Sequence, residues 1–533
     1  MAERYFAQPP SDQSHFATVP SANIERSTFD RSHGVKSTFD AGLVTPVFCD
    51  EVLPGDTFSC NSTAFVRMAT PLKPFMDNLY CDVHFWYVPY RLVWSNWKRF
   101  MGERETPDQD NSDLVIPQME INLSINHGKR LANAFGIPYV DTQETVSVSQ
   151  LPFRAYQLIW NEWYRDENLQ EPIPIFMDDT DIDDTLYTGL WPRGKRKDYF
   201  TSALPWPQQG DPVYVPLGVS APVVTDSQPI QLRASATTGN LNGMRLQNEP
   251  GGVDTYVGYD GNAHNDLPAY FGDEGLMADL TQATAITIND LRTAFQIQRM
   301  LERDARGGTR YIELVLSHFG VQSEDLRLTR PEYLGGGSNM ININPVAATV
   351  AQDEAPQGNL AAVGTGLNKA KFTKSFTEHG VIIGVISVRS DYTYQQGLER
   401  MWSRKTRYDF YWPTLAHLGE QAILQKEIWL TGDETADNTV FGYQERFAEY
   451  RYKPSRITAE MNSNEATSLD YWHLAQDFEE APVLNNIFIQ ENPPIERVIA
   501  VTTEPHFLLD MWFKLTCKRP MPVYSVPGLI DHF

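Results

Sequence analysis

Two extended segments near the start of the chain carry the clearest hydrophobic pattern. Between Thr57 and Met68 small, β-branched and aromatic residues dominate, and a Pro-Gly-Asp turn precedes them. In residues 79–88 the odd positions are all apolar or aromatic, whereas Asp82 and His84 occupy the other face. Alternation with a period of two is the pattern of a half-buried strand. Both segments are therefore predicted to be strands that need a partner sheet.

Strand patterns return hundreds of residues later. Residues 381–388 form a short apolar run that fits a strand buried on both faces, and residues 509–518 alternate as residues 79–88 do. These two segments are candidate partners for the opening strands. A chain of 533 residues with strands at both ends and long excursions between them predicts a mainly β protein, a β-sandwich or jelly roll that carries insertions.

Helical patterns are found in the excursions. Residues 95–102 have a capping residue and a terminal glycine, which predicts one or two helical turns. Residues 152–168 carry a bulky apolar stripe at helical spacing, which is more typical of a core than of a ligand site. Two further helices are predicted, one that starts at Asn289 or Asp290 and ends at Gly307, and one over Tyr311–Phe319.

Composition divides the chain into three parts. Residues 1–40 are polar and predict an extended N-terminal arm. Residues 221–285 are rich in Gly, Asn, Asp, Thr and Pro with little sustained periodicity, which is typical of a variable surface insertion. Residues 41–220 and 286–533 are predicted to form the β core with its helical and loop insertions.

The predicted arm contains one short repeat, because Ser-Thr-Phe-Asp stands at residues 27–30 and again at residues 37–40. One interpretation is coincidence in a polar tail. The other is a pair of equivalent subunit contacts, in which Phe29 and Phe39 each fill a pocket on a neighbouring copy. The repeat taken alone favours coincidence.

The formal net charge of −24 argues against a protein whose whole surface binds nucleic acid, because such binding neutralises phosphates with Lys and Arg. A local basic surface is compatible with this charge. Arg193, Lys195, Arg196 and Lys197 lie among aromatic residues, a combination that contacts phosphates and stacks on single-stranded bases. They are the candidate DNA-facing residues, and a solvated loop or a set of ion pairs with acidic neighbours is the alternative.

The densest concentration of arginine follows the 221–285 segment. Arg299, Arg303, Arg306 and Arg310 lie in or beside the two predicted helices. Guanidinium groups bind carboxylates and phosphates in bidentate fashion. These four residues are therefore candidate subunit contacts, with phosphate binding as the alternative.

The sequence contains none of the common catalytic or cofactor motifs. The nucleophile-elbow, phosphate-loop and zinc-helix patterns are missing, and the acidic stretch 178–184 lacks the Gly and Glu of a calcium loop. The four cysteines, Cys49, Cys60, Cys81 and Cys517, form no C-x-x-C pair and are interpreted as reduced core residues. We expect a non-enzymatic protein without cofactor or metal.

Targeting signals are also missing from the sequence. It contains no apolar run of the length needed to cross a membrane, and the first twenty residues have no signal-peptide core. We expect the protein to stay in a cytosol unless something larger carries it out.

Eight blocks of the sequence carry a family resemblance. They span nearly the whole chain in order and comprise residues 19–24, 27–60, 151–156, 160–163, 197–208, 302–311, 330–336 and 442–452. Together they resemble the major capsid protein of the Microviridae, small icosahedral single-stranded DNA phages, and specifically that of the gokushovirus branch. An ordered set of this extent is far more specific than any single short motif.

The resemblance implies an eight-stranded antiparallel jelly roll with long inter-strand insertions that contain short helices. It implies sixty copies that close a T=1 shell around circular single-stranded DNA, with a small basic DNA-binding phage protein and a scaffolding protein as partners. Residues 221–285 match by position the threefold protrusion, which is thought to meet a host surface receptor. The expected locations are the virion and, during assembly, the host bacterial cytoplasm, without membrane insertion.

Two other classes of protein remain open at this point. A carbohydrate-binding or carbohydrate-acting β-sandwich would explain the tryptophans, and it predicts monomers or small oligomers that bind glycans. A structural nucleic-acid-binding protein would explain the arginines, and it predicts salt-sensitive DNA affinity in the free subunit.

Overall fold

A computed structural model describes residues 24–122, 130–139, 145–180, 189–213, 288–322, 329–351 and 356–524, with six short strands between residues 223 and 278. Among these residues, no helix combines the length and the apolar character needed to cross a lipid bilayer. The main sheet contains nine strands, β1 (Ser27–Asp30), β2 (His33–Phe39), β3 (Thr45–Val52), β4 (Thr57–Met68), β5 (Leu79–Pro89), β6 (Glu332–Ala347), β7 (Leu360–Ser375), β8 (Gly380–Ser390) and β9 (Phe507–Arg519).

The helices lie in the segments between these strands. They are α1 (Trp97–Phe100), α2 (Arg130–Ala134), α3 (Leu151–Trp163), α4 (Ile288–Gly307), α5 (Tyr311–Phe319), α6 (Gln425–Ile428), α7 (Glu434–Asp437) and α8 (Asn486–Ile489). The four helices predicted from sequence are confirmed as α1, α3, α4 and α5. Helix α3 ends five residues before the predicted end, at Trp163.

Short elements complete the described residues outside 208–304. Strand Gln118–Asn122 pairs with Thr145–Ser149, Glu420–Leu424 with Val440–Glu445, and Thr393–Tyr394 with Ser455–Arg456. The 3-10 helices are Tyr90–Leu92, Arg400–Ser403, Arg407–Asp409, Pro413–Leu415, Ala448–Tyr450, Ala459–Met461, Asp470–Trp472 and Ile495–Arg497.

The strands of the main sheet are all antiparallel to their neighbours. They follow the order β1-β9-β4-β7-β6-β5-β8-β3, and β2 also pairs with β9. Strands β1 and β2 lie end to end along β9, because β1 pairs with its last four residues and β2 with residues 507–513. Nine strands thus occupy eight positions, and the predicted mainly β, jelly-roll fold class is confirmed.

Strand β6 joins two parts of this sheet. Its residues 332–341 pair with β5, whereas its residues 342–347 pair with β7. We call β3, β8, β5 and the first part of β6 the covered sheet. We call β9, β4, β7 and the end of β6, with β1 and β2 at the edge, the open sheet.

The inner faces of the two sheets share one hydrophobic core. The ring of Phe85 in the covered sheet lies 4.9 Å from that of Phe372 in the open sheet, and the rings of Phe48 and Phe513 are 5.1 Å apart. The two partner segments predicted from sequence are confirmed, since β8 pairs with β5 and β9 pairs with β4. The chain therefore closes its sandwich with strands from its far end.

The outer face of the covered sheet is buried beneath helix α3. Tyr156 and Trp160 of α3 pack with Trp86 of β5 and Ile383 of β8 in a second hydrophobic core. Every residue of β8 is consequently buried, as its uniform apolar run predicted. The prediction of a half-buried strand at residues 79–88 is wrong, because α3 and the chain around it also cover the face that carries its polar residues.

The outer face of the open sheet is exposed. Along β9 buried and exposed residues alternate from Phe507 to Lys518, which confirms the half-buried strand predicted there. Strands β4 and β7 alternate in the same way. The exposed positions include large side chains such as Trp512, which is 53% exposed.

Strands β6 and β7, of 16 residues each, were not predicted. Small or polar residues such as Gly364 and Asn368 occupy alternate buried positions of β7, so the hydrophobic periodicity is too weak to indicate a strand. Packing requires a small residue there, because a Cβ at Gly364 would lie 2.7 Å from the Cβ of Met68.

The chain divides into two compact units, Met1–Pro207 with Ala305–Phe533, and Gln208–Asp304. In the second unit three antiparallel strand pairs are nested within one another: Val223–Val224 with Met277–Ala278, Leu232–Arg233 with Tyr270–Phe271, and Met244–Asn248 with Thr255–Tyr259. This pairing is more regular than the composition of the segment predicted. Most of the predicted insertion 221–285 lies outside the described residues, and its boundaries stay a prediction.

Candidate subunit-contact and nucleic-acid surfaces

Arg193, the first candidate DNA-facing residue, extends into the subunit to the covered sheet. Its Nη1 donates to Oδ2 of Asp82 at 2.7 Å and to Oγ of Ser387 at 2.9 Å. The same carboxylate oxygen accepts a hydrogen bond from Nε of Arg389 at 2.9 Å. Arg193 therefore fastens the loop that contains it to strands β5 and β8.

Two arginines keep Asp82 ionised although its side chain is buried. Burial would raise the pKa of this carboxyl group, but Arg193, a hydrogen bond from Ser338 and Arg389 outweigh it and lower the pKa below its ordinary value. A charged residue on a strand usually indicates an exposed face, and here its partners lie far along the chain. This network explains why the exposure of Asp82 was predicted wrongly.

Lys195 is buried as well. Its Nζ lies 4.5 Å from the ring centre of Phe488 and 5.7 Å from that of Tyr392, and the residue is 8% exposed. Burial lowers the pKa of the ammonium group, while Glu491 and Asp198 act in the opposite direction. In this subunit Arg193 and Lys195 contact protein groups, so little of either side chain is left to contact a phosphate.

Arg196 and Lys197 are exposed. Lys197 pairs with Asp166 and donates to the carbonyl oxygen of Thr201 at 3.2 Å. Arg196 uses its backbone N–H to donate to the hydroxyl of Tyr392 at 3.1 Å, which leaves its guanidinium group at the surface. A DNA contact stays a prediction for these two residues.

Arg306 and Arg310 bind carboxylates of their own subunit. Nε of Arg306 donates to Glu420 at 2.9 Å. Arg310 pairs with Glu162 at 3.0 Å and with Glu167 at 2.9 Å. Both guanidinium groups thus form ion pairs within the subunit. Arg306 links α4 to the strand Glu420–Leu424, and Arg310 links the start of α5 to the end of α3.

Arg299 and Arg303 lie on the exposed surface of α4, in the part that belongs to the second unit. Of the four arginines chosen as subunit contacts, these two have the exposure that a contact with another copy requires. That role stays a prediction for them.

The two phenylalanines of the Ser-Thr-Phe-Asp repeat have different surroundings. Phe39 is 3% exposed, and its ring stacks on that of Phe507 at 5.3 Å within the core. Phe29 is only partly buried, in strand β1. Residues 27–39 also pair with β9, so this part of the predicted arm is an edge of the open sheet. Phe39 has little surface left for a neighbouring copy, and an anchoring role stays a prediction for Phe29.

The cysteines and the acidic stretch were examined as metal ligands. Among the residues that the structure describes, no group of three His, Cys, Asp or Glu side chains is arranged to hold an ion. All four cysteines are free thiols. Cys60, Cys81 and Cys517 are buried as predicted, whereas Cys49 is exposed, so the core interpretation is wrong for that residue. Of the acidic stretch 178–184, residues 181–184 lie outside the described residues.

A large exposed aromatic surface was not predicted from the sequence. Arg404 holds part of it in place, because its guanidinium carbon lies 4.4 Å above the ring of Tyr450 and 5.3 Å from that of Phe410, and it pairs with Glu449 at 3.2 Å. Trp402 is 68% exposed. We define the aromatic surface by its exposed members Trp402, Tyr408, Phe410, Tyr411, Trp412, Tyr450 and Tyr452.

A cavity of about 210 Å³ opens beside the aromatic surface. Its lining includes Tyr199 and Phe200 from the chain before the second unit, with Met401, Arg404 and Tyr450. Buried aromatic anchors in a pocket, surrounded by further aromatic contacts, are typical of the centre of a protein interface. The aromatic surface and this cavity together form the candidate subunit-contact site.

A β-sandwich whose insertions expose aromatic side chains over such an area has the architecture expected of a subunit that associates with other protein chains. The family model described as Capsid protein (F protein) matches residues 17–529. The chain belongs to this family of phage capsid proteins.

Three relatives are similar over almost their entire lengths, and each is named capsid protein VP1. That of Bdellovibrio phage phiMH2K is 45% identical and covers 98% of this chain and 99% of the relative. That of Chlamydia phage 1 is 42% identical, with 97% and 98% covered. That of Spiroplasma virus 4 is 35% identical, with 96% and 97% covered. The resemblance to the capsid protein of gokushovirus-type Microviridae is confirmed, and the carbohydrate-binding alternative is not favoured.

Proposed function

We propose that this chain is the structural subunit of a T=1 icosahedral shell that encloses circular single-stranded DNA, and that it has no enzymatic role. The observation that carries the proposal is the similarity to three phage capsid proteins along nearly the full length of the chain. Residence in the virion and association into an oligomeric shell follow from membership of the capsid family.

The aromatic surface supports assembly through copies of the same chain. A monomeric protein seldom exposes so many large aromatic side chains on neighbouring segments. Contacts within the surface, such as the edge-to-face pair of Tyr411 and Tyr450 at 6.3 Å, order the rings before a partner arrives. Such order lowers the entropy lost when two copies associate.

The second unit supports a role in host attachment. Its nested strand pairs describe a chain that runs out and back through successive antiparallel pairs, which is a form suited to a long surface insertion. We propose that residues 221–285 meet a host surface receptor. A scaffolding protein and a small basic DNA-binding phage protein are the further proposed partners, since the acidic chain by itself does not neutralise a genome.

Electron microscopy of the protein expressed with its neighbouring phage gene products tests the shell. Uniform particles of T=1 size that protect circular single-stranded DNA from nuclease are expected. Monodisperse monomers under the same conditions would contradict the proposal.

A pair of variants tests whether the aromatic surface is a subunit contact. Trp402→Ala removes a ring whose loss should not affect folding, because most of the side chain is exposed. We expect an unchanged unfolding midpoint and at least tenfold fewer particles. Val115→Ala is the matched control, because Val115 is 70% exposed outside the aromatic surface. Equal particle yields from both variants would exclude Trp402 from the contact.

A further inference from the structure

The outer face of the open sheet carries a charge opposite to that of the chain. The exposed positions of β4, β7 and β9 hold five cations, Arg67, Lys369, Lys371, Lys514 and Lys518, against one carboxylate, Asp510. The whole chain has 44 Lys and Arg residues against 68 Asp and Glu residues. A local excess of positive charge on so acidic a protein is complementary to a polyanion.

The register of the strands places these cations close to one another. Lys371 and Lys514 both lie opposite Asn61, on the two sides of β4. Lys369 and Trp512 flank Thr63 in the same way. Because neighbouring strands are about 5 Å apart and same-face residues on one strand about 7 Å apart, the ammonium groups can contact successive phosphates of one strand.

The lysines are available for binding. No ion pair engages Lys369, Lys371, Lys514 or Lys518 within the part of the chain that the structure describes. Asp510 is itself paired with Lys36 of β2 at 2.9 Å, and Asp30 of β1 has a favourable electrostatic interaction with Lys514. With the edge strands counted, the outer face still holds six cations against two carboxylates. The cations of the central strands therefore keep their net attraction for an external anion.

Aromatic side chains lie among the cations. Trp512 is 53% exposed, and Phe65 is 40% exposed beneath the guanidinium group of Arg67 at 5.9 Å. Bases of a single strand stack on such rings, whereas the bases of a duplex are already stacked and inaccessible. Exposed hydroxyl and amide groups further along β4, on Ser59 and Asn61, are of the types that donate hydrogen bonds to phosphates.

We propose that this outer face of the open sheet, defined by Phe65, Lys369, Lys371, Trp512, Lys514 and Lys518, is a binding surface for single-stranded DNA. The inference rests on the proposed function, since it identifies where the shell subunit contacts its genome. It assigns the contact to a regular sheet surface, in addition to or in place of the exposed Arg196 and Lys197.

The charge contribution is tested by binding of a single-stranded oligothymidylate to the full chain, measured by fluorescence anisotropy over a range of salt concentrations. The variant in which Lys369, Lys371, Lys514 and Lys518 are all replaced by Gln should lower the slope of log affinity against log salt by about 3, since each phosphate contact on a single strand contributes about 0.7. The matched control replaces Lys98, Arg104, Lys405 and Arg456, four exposed cations elsewhere, by Gln. Equal slopes in both variants would overturn the proposal.

The stacking contribution is tested by Trp512→Ala, which should weaken oligothymidylate binding about 5- to 150-fold. Leu508→Ala is the matched control, because Leu508 is 52% exposed on the same strand and face but has no aromatic ring. Its binding should change less than twofold. Unfolding midpoints of all variants are compared with the parent, so that a change in folding is recognised. A duplex bound as tightly as the single strand would contradict the proposal.

Particles distinguish this inference from the proposed function. If the parent forms shells without DNA, the proposed function fails. If parent and four-lysine variant form shells with equal amounts of nuclease-protected DNA, only the inference fails. If the variant is folded but forms no shells, the face contacts another copy or the residues before 24, and the inference is overturned. Shells from the variant that contain at least fivefold less DNA are the expected result.

Discussion

The covered sheet and the open sheet share one core but differ on their outer faces. In the covered sheet Trp86 and Ile383 point into a second core beneath α3, and even Asp82 is enclosed with two arginines. In the open sheet the equivalent positions are exposed and hold lysine, threonine and isolated aromatic residues. The insertions that follow β5 cover one sheet and leave the other free to interact with other molecules. The covered sheet therefore contributes mainly to stability, whereas the open sheet has an outer face that is free to bind other molecules.

The largest difference between the sheets is expected from two aspartates that both pair with cations. Asp82→Ala leaves Arg193 and Arg389 with an uncompensated buried charge, which should lower the free energy of unfolding by about 3–5 kcal/mol. Asp510→Ala breaks an exposed ion pair with Lys36 and should change the free energy of unfolding by less than about 0.5 kcal/mol. Chemical denaturation of both variants measures the difference. Similar values would show that the two sheets do not differ in this way.

A second pair of variants compares apolar residues on the two outer faces. Ile383→Ala creates a cavity between β8 and α3 and should cost about 2–5 kcal/mol of unfolding free energy. Val363→Ala on β7 removes an exposed side chain and should cost less than about 0.5 kcal/mol. Denaturation midpoints provide the measurement. A small cost at Ile383 would mean that α3 does not seal the covered sheet.

The third prediction concerns the pH dependence of the covered sheet. Burial lowers the pKa of His84, whose Nδ1 lies 2.7 Å from the hydroxyl of Tyr164, to about 4. Between pH 6.5 and 4 the unfolded chain binds a proton that the folded chain excludes, so stability falls as the pH decreases, by up to about 3 kcal/mol from this residue. His84→Gln should remove that part of the pH dependence. Unfolding profiles of parent and variant that stay parallel over this range would refute the assignment.

The smallest expected effect probes the inner face of the open sheet. Gly364→Ala brings a Cβ to within 2.7 Å of the Cβ of Met68 and should cost about 1–3 kcal/mol. Thr365→Ala, one position along on the outer face, should cost less than about 0.5 kcal/mol. Thermal unfolding of the two variants measures this. Equal midpoints would show that the inner face tolerates an extra methyl group.

Strands with a uniform or alternating apolar pattern could be predicted from sequence, as at β8 and β9, because burial of one or both faces determines the residue types directly. Strand β7 could not be predicted, since close packing against β4 requires small residues such as Gly364 where a strand pattern would have large ones. Strand β6, which pairs with strands of both sheets, has no periodic signal for the same reason, because small residues also occupy its closely packed positions. The fold class could be predicted from the strands whose hydrophobic pattern was recognisable in the sequence.

The candidate sites were harder to predict than the fold. Basic character marked Arg193 and Lys195 as surface residues, but their partners Asp82 and Phe488 lie more than 100 residues away and come together only in the folded chain. The aromatic surface has no signal in sequence, because its rings stand in or beside short 3-10 helices without regular spacing. The cations of the open sheet were missed because they are spread over β4, β7 and β9, which lie far apart in sequence and come together only through strand pairing.

The position of β9 between β1, β2 and β4 determines when the subunit can be completed during synthesis. More than 400 residues separate β4 from the strand that covers its edge. At a bacterial ribosome this interval lasts tens of seconds, at about 5–20 residues per second. Throughout that time β4 has an unpaired edge that can join other chains. We therefore expect the polypeptide to be prone to aggregation until β9 has been synthesised and has paired with β4.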